Sequence, residues 1–380
     1  MDRREFLGSA GKGALGAAAI GLAACNPATD AGATTLAAEA AGDDSLPQIE
    51  WQMATSWPAA LDTIFGGATY FAERVSALSG GRFVVDAREG GELVPALEVL
   101  QSVQSGGVQS GHTASYYYTG LSPVTAFGTA LPFGLTYREQ NAWLYAGGGL
   151  EQLQEYYAAN YNTIQFPAGN TGVQMGGWFN KEINSVADLQ GLRFRTAGLN
   201  AQMLSKLGVQ VQTLPGAEIF QALQTGAIDA AEWVGPYDDL KLDFPSVAQF
   251  YYYPGFWEPA PTLEVQIGLD TWNELPSLYQ DIVRSAAKEA NMNMMNQYDF
   301  LNPGALNEIV ESGNVELRPF PDDVLAAAEE AAFELYDELG AQTPEFAEIF
   351  EGWNTFRETL HGWFGVAERS FLTYAAQPPA

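Results

Sequence analysis

One pattern in the chain occurs twice. Residues 98–111 read EVLQSVQSGGVQSG, and residues 218–231, 120 positions later, read EIFQALQTGAIDAA. Glu98 aligns with Glu218, Gln101 with Gln221, Gln104 with Gln224 and Gly106 with Gly226, and apolar residues match at 99/219, 100/220, 103/223 and 108/228. The spacing predicts a helix, a glycine stop and a buried strand, used twice. Before the first copy, Ile49–Ala54 and Arg82–Ala87 read as strands, separated by a helix with Ile64, Ala68, Phe71, Val75 and Leu78 at 4-3-4-3 spacing. Before the second, Leu192–Thr196 and Val209–Leu214 read as strands around a short helix at Asn200–Leu207. Each half is therefore β-α-β-α-β, the pattern of a parallel sheet with crossover helices. The halves could share one sheet, but a duplicated unit more often gives two lobes.

Open parallel sheets bind ligands outside the carboxyl ends of their strands. The repeat thus nominates four loops: Thr55-Ser56-Trp57, His112 to Tyr118, Arg195-Thr196 and Glu232-Trp233. Two sheets whose loops face each other across a hinge would form a cleft.

The 380 residues are enough for two or three domains. With 47% hydrophobic and 17% charged residues the chain can bury a core. Forty-six acids against 17 Lys and Arg give a net charge of −29, which disfavours binding to a phosphate backbone. At the N-terminus, Arg3-Arg4 precede Phe6-Leu7 and a small-residue run from Gly13 to Ala24 that is too short to span a bilayer. Residues 1–25 read as a twin-arginine signal peptide, and Leu22 to Cys25 resembles a lipobox with Cys25 as the lipidated residue. Cys25 is the only cysteine, so no intramolecular disulfide or thiolate cluster can form. Residues 26–47 read as a flexible tether.

At the other end, Thr343-Pro344 opens a helix. Phe346, Ile349, Phe350, Trp353, Phe356, Leu360, Trp363, Ala367, Phe371 and Tyr374 keep one apolar face over ~45 Å at 1.5 Å per residue. Such a helix either straps across both lobes or docks on a second protomer.

Catalytic motifs are missing from the sequence. The two histidines, His112 and His361, stand far apart, and no nucleophile elbow, phosphate loop, dinucleotide fingerprint or HExxH pair occurs. Binding chemistry is better represented. Arg195 falls at a strand's carboxyl end, where a guanidinium fork suits a carboxylate, with Arg193 on the same strand face as its rival. A protein carboxylate is the alternative partner for either. Gln174 sits among Gly172, Gly176 and Gly177, which permit close backbone approach, and Glu232-Trp233 and Glu258 place acids beside aromatic walls.

The strings GHTASYYYTG, GNTGVQMGGWFNKEI, LRFRTAGL, AEWVGPYDDL and YYYPGFWEPAP resemble the solute-binding proteins of tripartite ATP-independent periplasmic (TRAP) transporters, the DctP family, and most closely its TakP-like 2-oxo acid binding subgroup. The resemblance covers essentially all of residues 48–375. It implies an α/β, two-lobed periplasmic binding protein fold of type II character, with hinge strands and a long C-terminal helix. Expected boundaries are 48–170 with 258–298 for one lobe, 171–257 with 299–342 for the other, and 343–376 for a helix that can swap in a homodimer. The resemblance further implies that Arg195 clamps a substrate carboxylate, and that Gln174, Glu232 and Trp233 contact both a metal ion and the substrate. Trp233 would use its carbonyl and Glu258 would complete the metal site. From the nominated loops, Trp57 and Tyr118 are expected to add substrate contacts, with the choice among Tyr116, Tyr117 and Tyr118 left open. The expected cation is Na⁺ ahead of Ca²⁺. The resemblance implies a receptor that hands a small 2-oxo monocarboxylate such as pyruvate to a membrane permease without chemistry; the twin-arginine signal and lipobox depart from the family's usual cleavable Sec signal and make it an exported, lipid-anchored one. A 2-hydroxy acid or a larger solute remains open, as do an exported hydrolase or isomerase and a structural surface lipoprotein.

Overall fold

The computed structural model describes residues 35–37 and 45–376; the signal and lipobox assigned to residues 1–25 lie outside the described residues. The first copy of the repeat forms β1 (Ile49–Thr55), α1 (Ile64–Leu78), β2 (Phe83–Arg88), α2 (Val99–Gln104) and β3 (Ser110–Thr113). The second forms β6 (Arg193–Arg195), α5 (Leu199–Lys206), β7 (Gln210–Gln212), α6 (Gly216–Gln224) and β8 (Ala230–Ala231). In both, the first strand lies between the other two, and all three are parallel. The periodicity that predicts α1 is the buried face itself: Ile64, Ala68, Phe71, Val75 and Leu78 all point inward. The matched glycines Gly106 and Gly226 adopt the same left-handed conformation, φ 73° and 68°, and stop α2 and α6 in the same way.

The two copies build two separate sheets, and neither sheet is purely parallel. Between the copies run α3 (Tyr137–Ala146), α4 (Gly149–Tyr161), β4 (Thr163–Asn170) and β5 (Gly177–Phe179). After the second copy come α7 (Pro236–Lys241), β9 (Phe250–Tyr253) and β10 (Thr262–Gly268). The first sheet has the order β2-β1-β3-β10-β4, with β10 antiparallel to both neighbours. The second has the order β11-β9-β5-β8-β6-β7, where β11 is Glu316–Pro319 and β5 runs antiparallel to β8 and β9. The antiparallel strands arise because the chain crosses between sheets twice in extended segments, from β4 to β5 and back from β9 to β10. Asn170 staples these crossings. Its side-chain amide donates to Ala260 O and Thr262 Oγ1, and its Oδ1 accepts from Gly172 N–H.

A third crossing is α8 (Ser277–Glu311), which packs on β4 and α1 at one end and on α7 towards the other. A buried cluster containing Trp57, Ile64 and Tyr116 from the first lobe with Trp178, Ile219 and Trp233 from the second shows the lobes closed on each other.

The chain ends with α9 (Asp322–Gln342), α10 (Pro344–Phe364), a π-helical turn at Gly365–Arg369 and α11 (Ser370–Ala375). The long terminal helix is thus present, but its two halves differ. Phe346, Ile349 and Trp353 are buried, with Phe346 and Trp353 packed against Phe127, whereas Trp363, Val366, Phe371, Leu372 and Tyr374 are exposed. No described helix is long and apolar enough to cross a membrane.

Candidate ligand and cation site

Three loops meet between the sheets. The crossing segment 171–176 pairs with the return crossing through Gln174 N–H to Glu258 O and Gly255 N–H to Gln174 O, and with the loop after β8 through Met175 N–H to Val234 O. These backbone bonds bring Gln174, Glu258, Glu232 and Trp233 to one place from three stretches of sequence.

Arg195, the last residue of β6, is buried there. Its Nε donates to Leu214 O at 3.1 Å, and its Nη1 donates to Glu232 O at 2.9 Å and to Glu232 Oε1 at 2.6 Å. Nη2 has no partner, although it is buried. The Trp233 ring lies 5.2 Å from the guanidinium carbon. Arg193 is occupied elsewhere: it grips Asp229 through Nε and Nη2 and donates to Gly226 O through Nη1, which holds the Asp229 carboxyl down at about 2. Of the two arginines, only Arg195 retains an unused donor in the cleft.

The carboxylates lack enough positive charge. Glu232 and Glu258 are both fully buried. Burial raises the Glu232 carboxyl, with Arg195 opposing the effect. Burial raises Glu258 well above the usual range, and the Glu232 charge pushes it further. Glu258 accepts from Asn200 Nδ2 at 3.1 Å and from Tyr116 OH at 3.4 Å. Glu232 Oε2 and Gln174 Oε1 are buried without any partner. Unpartnered oxygens on a glutamate and an amide, beside a second glutamate that resists ionisation, form a donor set that fits a hard cation. No group of three or more His, Cys, Asp or Glu side chains with metal-binding geometry occurs among the described residues. The donor set here has only two acids, so it does not need one.

The other wall is aromatic and uncharged. A space of about 10 Å³ in the closed cleft is lined by Trp57, Tyr116, Tyr117, Gln174, Trp233 and Leu263 among others. Trp57 is fixed by a relay: its Nε1 donates to His112 Nδ1 at 2.7 Å, and His112 Nε2 lies 3.3 Å from Ala168 O on β4. An indole can only donate, so Nδ1 must accept and the imidazole proton sits on Nε2. Burial pushes His112 down to about 4, which keeps the ring neutral. At Gly198, φ 66°, an added Cβ would meet the Tyr116 ring at 2.7 Å; the missing side chain lets the first lobe's tyrosine rest on the start of α5.

Tyr118 is a correction. Expected among the substrate contacts, it turns away and packs with Leu100, Tyr157 and Tyr161, its hydroxyl accepting from Leu100 N–H and bonding Thr113 Oγ1. Residues 115–118 form a single 3₁₀ turn, so successive tyrosines point in different directions, and Tyr116 and Tyr117 face the cleft instead. Sequence reasoning also missed Asn200, although it lies in the first turn of α5, the helix that follows the Arg195 strand.

The family model of the bacterial extracellular solute-binding proteins, family 7 (DctP), matches residues 53–343. A monocarboxylate 2-oxoacid-binding periplasmic protein of Nostoc sp. is 48% identical over 376 residues, 99% of each chain. A TRAP transporter solute binding protein from Bordetella bronchiseptica, solved as a mixed-occupancy dimer with copurified calcium and picolinate, is 43% identical with a TM-score of 0.85, covering 87% of this chain and 97% of its own. A TRAP periplasmic solute binding protein from Pseudoalteromonas atlantica, solved with sodium and pyruvate, is 38% identical with a TM-score of 0.82, covering 86% and 99%. With its two-lobed fold, its cleft and these matches, the chain belongs to the DctP family of bacterial extracellular solute-binding proteins.

Proposed function

We propose that this protein is the extracytoplasmic receptor of a TRAP transporter, that it binds a small 2-oxo monocarboxylate such as pyruvate together with a cation, and that it releases the acid unchanged to the membrane permease. The observation that carries this reading is the unpaired Nη2 of Arg195 beside two buried glutamates, with Glu232 Oε2 and Gln174 Oε1 left unused. A ligand carboxylate ~4 Å from an ionised glutamate meets ~4 kcal/mol of repulsion at an effective dielectric near 20, and Arg195 is already paired with Glu232. A cation held by Gln174, Glu232, Glu258 and the Trp233 carbonyl would supply the missing positive charge and accept the acid's own oxygens as ligands. Because Nε and Nη1 already serve Leu214 and Glu232, the carboxylate meets Nη2 rather than the whole guanidinium fork. Trp57, Tyr116 and Tyr117 line the cleft and would enclose the acid's apolar tail. The names of the relatives from Nostoc, Bordetella and Pseudoalteromonas support an oxo acid or another compact carboxylate, with sodium and calcium both represented.

The test is calorimetry of pyruvate binding to protein dialysed against chelator in sodium-free buffer, then with Na⁺ or Ca²⁺ restored. Binding is expected only with a cation. Undiminished affinity without one, or in a Glu232→Gln, Glu258→Gln double variant, would exclude the bridging cation; product analysis after long incubation should return pyruvate intact.

The reading extends to assembly and export. The exposed apolar residues of the terminal helix lie beside a groove of about 780 Å³ lined by residues such as Tyr137, Val173, Met295, Phe364 and Leu372, a surface suited to a homodimer. Removing residues 365–380 leaves Phe346 and Trp353 in the core and should give a monomer by sedimentation; a wild-type monomer at micromolar concentration leaves only the strap. Export by the twin-arginine route with lipidation at Cys25 predicts a membrane-associated mature chain that Cys25→Ser releases, read by intact mass.

A further inference from the structure

A second set of polar contacts joins the lobes away from the ligand groups. Thr63 occupies the N-cap position of α1, where a threonine hydroxyl ordinarily accepts from the helix's own free N–H groups. It makes no such bond. Its Oγ1 instead donates to Asp238 Oδ1 at 2.5 Å, reaching from the first lobe to α7 of the second. The other oxygen, Oδ2, accepts from Tyr298 OH at 2.8 Å, and Tyr298 belongs to α8, the helix that packs on both lobes. All three residues are fully or almost fully buried. One carboxylate therefore ties together the start of α1, the spanning helix and the helix that follows the Glu232-Trp233 loop by a few residues.

The neighbouring contacts have the same direction. Lys241 pairs with Asp62 at 2.6 Å and reaches Ala60 O, and Tyr237 OH donates to Asp62. These groups are half exposed and so contribute less than the buried triad. Tyr237 N–H donates to Asn302 Oδ1 on α8, immediately before Pro303, which removes a hydrogen bond from the helix interior. Thr63 has helical backbone angles, φ −88° and ψ −60°, and Phe65 N–H already bonds Leu61 O, so the hydroxyl is left to serve the other lobe.

We infer that Thr63, Asp238 and Tyr298 form a latch that holds the two lobes closed, so that Asp238 is a positioning residue that sets how long the ligand stays rather than how it is recognised. The inference rests on the receptor reading above. None of the three side chains is among the ligand or cation groups. Breaking the latch therefore leaves the open cleft's encounter with the ligand unchanged and destabilises only the closed form.

The test is stopped-flow tryptophan fluorescence with pyruvate and saturating cation. Thr63→Val and Asp238→Asn are each expected to raise the dissociation rate about tenfold with little change in association rate. Thr63→Ser, which keeps the hydroxyl, should restore the wild-type rate, and the Thr63→Val, Asp238→Asn double variant should dissociate no faster than Asp238→Asn alone. A wild-type dissociation rate in Thr63→Val, or additive effects in the double variant, would overturn the latch. Asp238→Asn can disturb folding through its own burial; Thr63→Val and Tyr298→Phe are near-isosteric and keep the test open. A wild-type chain that ignores pyruvate would sink the ligand assignment and leave the latch to small-angle scattering without organic acid. There Thr63→Val should have the larger radius of gyration, and equal radii would overturn the latch.

Discussion

The two copies of the repeat share a topology and differ in the chemistry they bring to the cleft. The first copy contributes Trp57, Tyr116 and Tyr117, aromatic and uncharged, with a neutral His112 holding Trp57 in place. The second contributes Arg195 and Glu232, an ion pair with one nitrogen and one oxygen left over. The crossing segments between them add Gln174 and Glu258. The same strand order thus supplies a wall in one lobe and a charge-handling surface in the other. The comparison teaches that the carboxyl-end rule locates the loops, while what each loop does depends on whether its charges find partners inside their own lobe.

The strongest way to break this contrast is Arg195→Lys. An ammonium cannot serve Leu214, Glu232 and a ligand together, and truncating one partner of a buried, hydrogen-bonded charge pair costs ~2–5 kcal/mol of binding. Calorimetry that shows wild-type affinity would remove the charged half of the comparison. Glu264→Gln sharpens it from the other side. This acid of the first lobe is buried beside Gln266, and burial pushes its carboxyl up to about 7. The native state therefore holds a proton that the unfolded chain, with the ordinary value of 4.5, gives up. Between those two pH values the native form binds more protons, so stability falls as pH rises, and the loss persists above pH 7. Glu264→Gln should then raise stability at pH 8 by on the order of 3 kcal/mol and leave it unchanged near pH 4, measured by denaturant melts. Stabilisation of equal size at both pH values would mean the acid is not held neutral.

A smaller effect is expected from Trp57→Phe. It keeps a ring in the wall but removes the bond to His112 and leaves a buried acceptor unpaired, a loss of ~1–2 kcal/mol in thermal stability with a modest drop in ligand affinity. An affinity loss as large as that of Arg195→Lys would mean the aromatic wall recognises the ligand as much as the charges do. The smallest is Arg193→Ala, expected to leave pyruvate affinity within twofold of wild type, because its guanidinium is spent on Asp229 and Gly226.

Much of this was legible in the sequence, for reasons that vary by residue. The repeat revealed both β-α-β-α-β units because helix faces and glycine stops are local signals. Arg195 could be singled out by its place at a strand's end, but only the structure shows why Arg193 is not its equal. The three tyrosines 116–118 carry no phase information, and the 3₁₀ turn leaves Tyr116 and Tyr117 at the cleft while it turns Tyr118 away. β10, TLEVQIG, alternates like a half-exposed strand, yet both faces are buried, because Glu264 and Gln266 sit in a polar layer inside the lobe. Thr63 gave no sequence signal, because its bond to Asp238 depends on a residue 175 positions away.

The crossings of the chain also set the order in which the molecule can be made. β3 pairs with β10, so Thr113 waits for Glu264 before its strand has a neighbour on that side, and β9 waits likewise for β11. Neither sheet is a contiguous stretch of chain, and pairings this distant in sequence are slow to find. During synthesis from the N-terminus, the first copy of the repeat emerges with an open β3 edge that nothing yet made can cover. The first sheet is not complete until β10 has been made, and the latch not until α8 supplies Tyr298. A chain cut short before β11 is left with an unpaired β9 edge and an incomplete second lobe.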